Sequence, residues 1–347
     1  LTNRKKVILF NKINTFGKCY PIEKDQRHKR KARLTAMAKR TFIIDCDTGT
    51  DDAIAIIAAL YSPEIELAAI TSVNGNVSHK YTSQNNLNLM EYLSADIMVA
   101  RGAEKPLFLR APYYGDTHGQ TGLGDIVLPT AVASDFAKEN AIEVIRRKAE
   151  ELNGELELLV IGPMTNIAIA LSLYPDIAEK IKHIWFMGGA VKGGNVSNTS
   201  EFNIWVDPVA ARLVLASGIP CTMVGLDVTE LAIMNHQDAE ILRSIGTRAA
   251  LLTADILDYM FRRHEKGGED AVMHDALALA AALCPQCLVC NDYFVDVECI
   301  DSYAVGHTAV DLRNKLGRKP NVKVAMDIHI DLFKEWLIGC IGNSREL

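Results

Sequence analysis

Four aspartates, Asp45, Asp47, Asp51 and Asp52, fall within eight residues of the segment FIIDCDTGTDDAIAI that spans 42–56. Carboxylates this close repel and raise one another's pKa values, so the cluster costs stability unless a cation or a proton-transfer role offsets it. An oxygen-rich donor set without paired His or Cys suits a hard cation, Ca²⁺ or Mg²⁺. Gly49 is expected to let the backbone fold tightly enough for Asp47 and Asp52 to converge on one ion. The plainer role of Asp51 or Asp52 is to cap the following helix and favour its dipole, but capping does not account for four carboxylates. A phosphatase signature of the D-x-D-x-T type fails on register: Gly49 stands two residues after Asp47, and the threonines fall at 48 and 50.

Two further segments carry chemical groups. In AVMHDALALAAAL (271–283), His274 and Asp275 open an apolar, helix-period run. If Asp275 joins a metal site, one turn supplies both a ligand and a titrating acid. In GGNVSNTSEFNIWVDP (193–208), Asn195, Glu201 and Asn203 form an amide and carboxylate set in a glycine-rich loop. Such groups give and accept hydrogen bonds to a polyhydroxylated ligand, though the same residues also make ordinary polar turns.

Positioning these groups takes an alternating scaffold. Strands are expected at Thr41–Asp47, Glu66–Val73, Ile97–Arg101, Leu156–Ile161, His183–Met187 and Cys221–Asp227. Helices are expected at Asp52–Tyr61, Lys80–Leu93, Ala141–Leu152, Thr165–Leu173 and Val209–Ala216. The alternation predicts a single α/β domain around a mostly parallel sheet covered by helices on both faces. Polar residues gather at strand ends, in TSVNGN, IGPMTN, MGGAVKGGN and at Asp227, and so line one mouth beyond the carboxyl edge, where open α/β sheets bind ligands.

The charge is unevenly distributed. Residues 1–40 hold 13 Lys and Arg against 2 Asp and Glu, which leaves 24 basic and 41 acidic residues for 41–347. So acidic a globular part makes a poor binder of nucleic-acid backbones. The basic stretch 1–36 is expected to be a disordered leader, a transit-like extension or sequence upstream of a native start at Met37, with the catalytic domain at 37–347. No apolar run approaches the roughly 20 residues needed to span a bilayer. Cys284, Cys287, Cys290 and Cys299 are expected to be structural thiols; their spacing fits a cluster-ligand run poorly, and zinc or disulfides are the alternatives.

Taken together the motifs resemble the inosine-uridine preferring nucleoside hydrolase family. They comprise D-x-D-x-G-x-D-D at 45–52, PEIELAAIT at 63–71, Gly75-Asn76, HGQTGLG from His118, GPMTNIA from Gly162, MGG from Met187, Gly194-Asn195, EFNIWVDP from Glu201, MVGLDVT from Met223 and His274-Asp275. The resemblance covers nearly the whole chain after Met37. It implies a Rossmann-like α/β core and hydrolysis of the N-glycosidic bond of ribonucleosides, purine or pyrimidine, to free base and ribose. It also implies Ca²⁺ held by Asp47, Asp52, Asp275 and the carbonyl of Ile161, with Asp47 as the base toward water and His274 as the acid toward the leaving base. Asp51, Asn76 and Asn203 would hold ribose hydroxyls or water, Asn195 and Glu201 the 5′-hydroxyl end, and His118 would assist from a closing loop.

Base selectivity is expected around His118, Tyr259, Phe261 and His264. The family further implies a homodimer or homotetramer that acts in nucleoside salvage on a small ribonucleoside. The acidic, cysteine-bearing chain without an export signal points to the cytosol, and its charge and the lack of a membrane-spanning run argue against nucleic-acid and membrane partners. Thr48 replaces the family's usual proline, Ile161 a usual hydroxyl residue, and HDALA lacks a proline often found after the HD pair. The rivals are hydrolysis of another N-riboside, such as a nicotinamide or modified-base nucleoside, and a binding protein that keeps the pocket without turnover.

Overall fold

The computed structural model describes residues 39–108, 115, 117–267 and 270–345; the basic leader expected at 1–36 lies outside the described residues. Strand β1 (Arg40–Cys46) sends Phe42, Ile44 and Cys46 into one apolar core and Ile43 into another, as a strand covered on both faces must. There follow α1 (Thr50–Leu60), β2 (Ile65–Ser72), α2 (His79–Tyr92), β3 (Val99–Arg101), α3 (Ala141–Leu152), β4 (Leu156–Val160) and α4 (Thr165–Leu173). The chain continues through β5 (Ile181–Met187), α5 (Phe202–Val206), α6 (Pro208–Leu215), β6 (Cys221–Val224) and α7 (Leu226–Thr229). Beyond these come β7 (Ile233–Met234), α8 (His236–Ile245), α9 (Arg248–Glu265), β8 (Ala271–Val272), α10 (His274–Leu283), β9 (Leu288–Tyr293), β10 (Val295–Val297), β11 (Thr308–Val310), β12 (Val322–Ile328) and α11 (Ile330–Gly342).

Eight strands form the central sheet in the order β3-β2-β1-β4-β5-β6-β12-β9. Every neighbouring pair is parallel except β12 and β9. This is the expected fold class. The strand order reverses beside β1, so the aspartate loop leaves the sheet at the switch point where α/β folds open a crevice.

Two alanine-rich helices bring the acids together. α1 and α10 are buried along almost their whole lengths and pack against each other. Their short side chains permit close approach, and their N-terminal turns carry Asp51 and Asp52 on one helix and Asp275 on the other. Both helix dipoles favour negative charge at those ends.

The expected boundaries hold to within two residues for the helices, and the differences have local causes. α1 begins at Thr50 rather than Asp52 because the Gly49 N–H donates to Asp52 Oδ2 at 2.8 Å, making Gly49 the cap. β6 stops at Val224 rather than Asp227, since Gly225 turns the chain into α7, and Asp227 Oδ2 accepts from Val191 N instead. Among the described residues no helix is long and apolar enough to cross a membrane.

Candidate active site

The carboxylates sit in a buried floor. Asp51, Asp52 and Asp275 each place a carboxylate oxygen within 4.8 Å of the others, and all three are buried. Asp47 lies beside them: its Oδ2 accepts from Asn76 N at 2.6 Å, while its Oδ1 is buried with no partner. Asp52 Oδ2 accepts from Gly49 N and from Asn76 Nδ2 at 3.1 Å, and its Oδ1 is likewise without a partner. Asp52 therefore does cap its helix, with one oxygen, and leaves the other for the cluster.

Burial drives these groups toward protonation. It raises Asp47 and Asp275 well above the carboxylate range and Asp52 to about 8, and the charge of Asp51 adds to the shift in each case. Crowded buried carboxylates with orphaned oxygens are the donor set of a hard divalent cation. Ile161 lines the same cavity, and its carbonyl accepts from Asn203 Nδ2 at 3.1 Å, which leaves a second lone pair. Asp45 faces elsewhere: its Oδ1 accepts from Thr71 Oγ1 at 2.5 Å and Asn166 Nδ2 at 2.7 Å, and burial raises it to about 7. The tightest acidic trio thus contains Asp51, a residue expected at the ribose, with Asp47 alongside.

Two histidines flank the floor. His274 opens α10 with its Nδ1 at 2.8 Å from Thr229 Oγ1 on α7. His118 Nδ1 accepts from Thr50 N at 3.1 Å and lies 3.8 Å from Asp51 Oδ1. That bond places the neutral ring's proton on Nε2. It also gives Gly49 a reason different from the expected tight turn. Gly49 has extended backbone, and a Cβ there would lie 2.5 Å from His118 Nδ1 and 2.9 Å from Asn76 Nδ2.

On the opposite side Glu201 caps α5, accepting from Asn203 N, Ile204 N and Gly189 N, yet burial still raises it to about 7. Asn195 Oδ1 accepts from Phe202 N at 3.0 Å. Asp51, Asn76, His118, Ile161, Asn195, Glu201, Asn203, His274 and Asp275 all line one cavity. Asp47 and Asp52 lie beneath it.

The sequence reading missed several lining residues, notably Met260, Arg263 and Asp270. Of the positions expected to select the base, Phe261 is buried against His236, with ring centroids 4.1 Å apart, and His264 pairs with Asp270 at 3.1 Å. Tyr259 donates to Thr117 O and so holds the His118 loop rather than lining the cavity. The helical register of α9 decides this, turning Met260 and Arg263 inward. Cys284, Cys287, Cys290 and Cys299 are free thiols, the first two buried in the core.

Residues 42–335 match the family described as inosine-uridine preferring nucleoside hydrolase. Over 292 residues the chain is 39% identical to the pyrimidine-specific ribonucleoside hydrolase RihA of Escherichia coli O1:K1, covering 82% of this chain and 93% of that one. Among solved structures it is similar to the purine-preferring ribonucleoside hydrolase from Gardnerella vaginalis, with TM-score 0.83, 30% identity, and coverage of 89% of this chain and 100% of the other. An inosine-guanosine nucleoside hydrolase superposes with TM-score 0.79 at 30% identity, over 87% and 98% of the two chains. With the acidic floor, the polar cavity and a match over most of the chain in agreement, the chain belongs to the inosine-uridine preferring nucleoside hydrolase family and is an N-glycosidase.

Proposed function

We propose that this protein is a Ca²⁺-dependent ribonucleoside hydrolase of nucleoside salvage whose best substrates are pyrimidine nucleosides. The observation that carries the reading is the buried acidic floor, with orphaned oxygens on Asp47 and Asp52, beneath a cavity lined by His118 and His274. The pyrimidine preference is supported by the 39% identity to a pyrimidine-specific hydrolase. The same reading takes the enzyme to be a cytosolic homodimer or homotetramer, with its catalytic domain starting near residue 37.

Asp47, Asp52, Asp275 and the Ile161 carbonyl would hold the cation, which when bound supplies a fixed positive charge that acidifies water and orients the ribose diol. The remaining work falls to the chain's own groups. Asp51, Asn76 and Asn203 hold the ribose hydroxyls, and Asn195 and Glu201 the 5′-hydroxyl end, fixing the sugar over the floor. Departure of the base leaves positive charge on the ribosyl ring, which the surrounding carboxylates stabilise. Asp47 accepts a proton from the attacking water through the oxygen that has no protein partner. His274, held through Nδ1 by Thr229, delivers a proton toward the departing base, and His118 donates a hydrogen bond from its Nε2.

Release of ribose from uridine, cytidine, inosine and adenosine, read by a reducing-sugar assay with and without a strong chelator, tests the reading. Turnover fastest on the pyrimidine nucleosides and abolished by the chelator is expected. Turnover indifferent to the chelator, or absent on all four, would overturn it.

A further inference from the structure

One wall of the cavity carries a cation that the reaction described above leaves unused. Tyr259 on α9 donates its hydroxyl to Thr117 O at 3.3 Å, and Arg262 reaches Asp125 Oδ2 at 2.7 Å. Gly124, at φ +65°, lies so close beneath Tyr259 that a Cβ would come within 2.5 Å of its ring. The loop bearing His118 is therefore seated on the last turns of α9. Arg263 stands one turn beyond Tyr259, on the same helix face, and lines the cavity, half-buried. Histidines aside, the other ionisable side chains of that lining, Asp51, Glu201, Asp270 and Asp275, are all acidic. The ribose and the cation belong to the acidic floor, which leaves the base as the part of a nucleoside that the α9 wall meets.

We propose that Arg263 is a specificity-determining residue that stabilises negative charge on the departing base, and so favours nucleosides whose base bears a ring carbonyl conjugated with the glycosidic nitrogen. The inference rests on the ribonucleoside-hydrolase reading and adds the base class. When the C1′–N bond breaks, its electron pair passes to the base. In uracil, cytosine and hypoxanthine that charge spreads onto a carbonyl oxygen; adenine has none. A guanidinium presents several N–H donors to such an oxygen and keeps its own protons. Water supplies the hydroxyl to C1′, and the proton that makes the base neutral comes from the acid or from solvent, so the reaction balances without Arg263 changing state.

The test compares kcat/KM of wild type, Arg263→Gln and Arg263→Lys on uridine, on adenosine and on p-nitrophenyl riboside, whose leaving group is already a stable anion. For Arg263→Gln the uridine value should fall about 10- to 100-fold, as expected for one lost charge-assisted hydrogen bond. The loss should appear mainly in kcat, with a clearly smaller fall on the other two substrates and partial recovery in Arg263→Lys. Equal losses on all three substrates would make Arg263 a structural support of the loop and overturn the proposal, as would an unchanged uridine rate. A wild type that cleaves p-nitrophenyl riboside but no nucleoside overturns the base-class assignment alone; one that cleaves none of the three overturns the hydrolase reading with it.

Discussion

Asp52 divides its two oxygens between the fold and the acidic cluster. Its Oδ2 ties down Gly49 and Asn76, while its Oδ1 stays buried without a partner among other carboxylates. Without a cation that second oxygen is a liability, because burial and the charge of Asp51 push the group up to about 8. Asp52→Asn keeps one carbonyl oxygen for the cap and removes the charge. In chelator at pH 8.5 the variant should therefore melt above wild type, by about 1.5 °C for each 1 kcal/mol of repulsion relieved. Added Ca²⁺ should raise the wild-type Tm, by the equivalent of about 2.7 kcal/mol at a hundredfold excess over Kd, and leave the variant almost unmoved. Calorimetry of both proteins with and without Ca²⁺ checks this; equal Ca²⁺ responses would remove Asp52 from the ligand set.

At the scale of elements, the amino ends of the strands carry a polar tie remote from the cavity. Arg40 on β1 donates from Nε to Glu157 Oε1 on β4 at 2.8 Å and from Nη1 to the Ala282 carbonyl near the end of α10 at 2.6 Å. Trp185 Nε1 on β5 also donates to Glu157. Burial pushes Glu157 up, but the bonds from Arg40 and Trp185 outweigh it and hold the carboxyl below its ordinary range. Arg40→Met leaves a buried carboxylate with one donor. It should cost about 1–3 kcal/mol, less than a fully buried pair would because Arg40 is partly exposed. The check is a lower denaturant midpoint at unchanged m-value with kcat retained; a changed kcat would mean that the tie reaches the site through α10.

Across the whole molecule the buried ionisable groups set the pH response of the cation-free protein. Asp45 and Glu201 are raised to about 7 and Asp52 to about 8, all chiefly by burial. Each binds its proton more tightly folded than unfolded. The stability each adds is complete below about pH 4 and is lost as pH rises through 7 to 8. His183, buried and lowered to about 4, acts in the opposite sense: its contribution is present above about pH 6.5 and fades as pH falls toward 4. Above pH 6.5 the three carboxylates are unopposed by it. In chelator, Tm should therefore decline from pH 6.5 to 8.5, and saturating Ca²⁺ should flatten the decline by removing the share due to Asp52. A Tm that rises over that window in chelator would contradict the assignment of these groups as carboxyls raised by burial.

Much of this was determined by sequence alone. Short β-branched apolar runs alternating with period-3.6 segments marked the strands and helices around the site, because burial on both faces of a parallel sheet leaves strands as continuous apolar runs. The aspartate loop, Asn76, the Asn195 to Asn203 segment and the His274-Asp275 pair stood out because crowded carboxylates and clustered amides are unusual in one chain, and the structure gathers them around one cavity. Tertiary structure decided what depends on directions and distances between segments remote in sequence. It placed Asp51 in the tightest acidic trio while Asp47 turned to Asn76, and sent Asp45 toward Thr71 and Asn166. It also gave Gly49 its role through the proximity of His118, some 70 residues away. On α9, two steps of helical rotation, at about 100° per residue, separate buried Phe261 from Arg263, which lines the cavity. The residues themselves announce the presence of an acidic site, whereas the facing of a helix is fixed only by what packs against it.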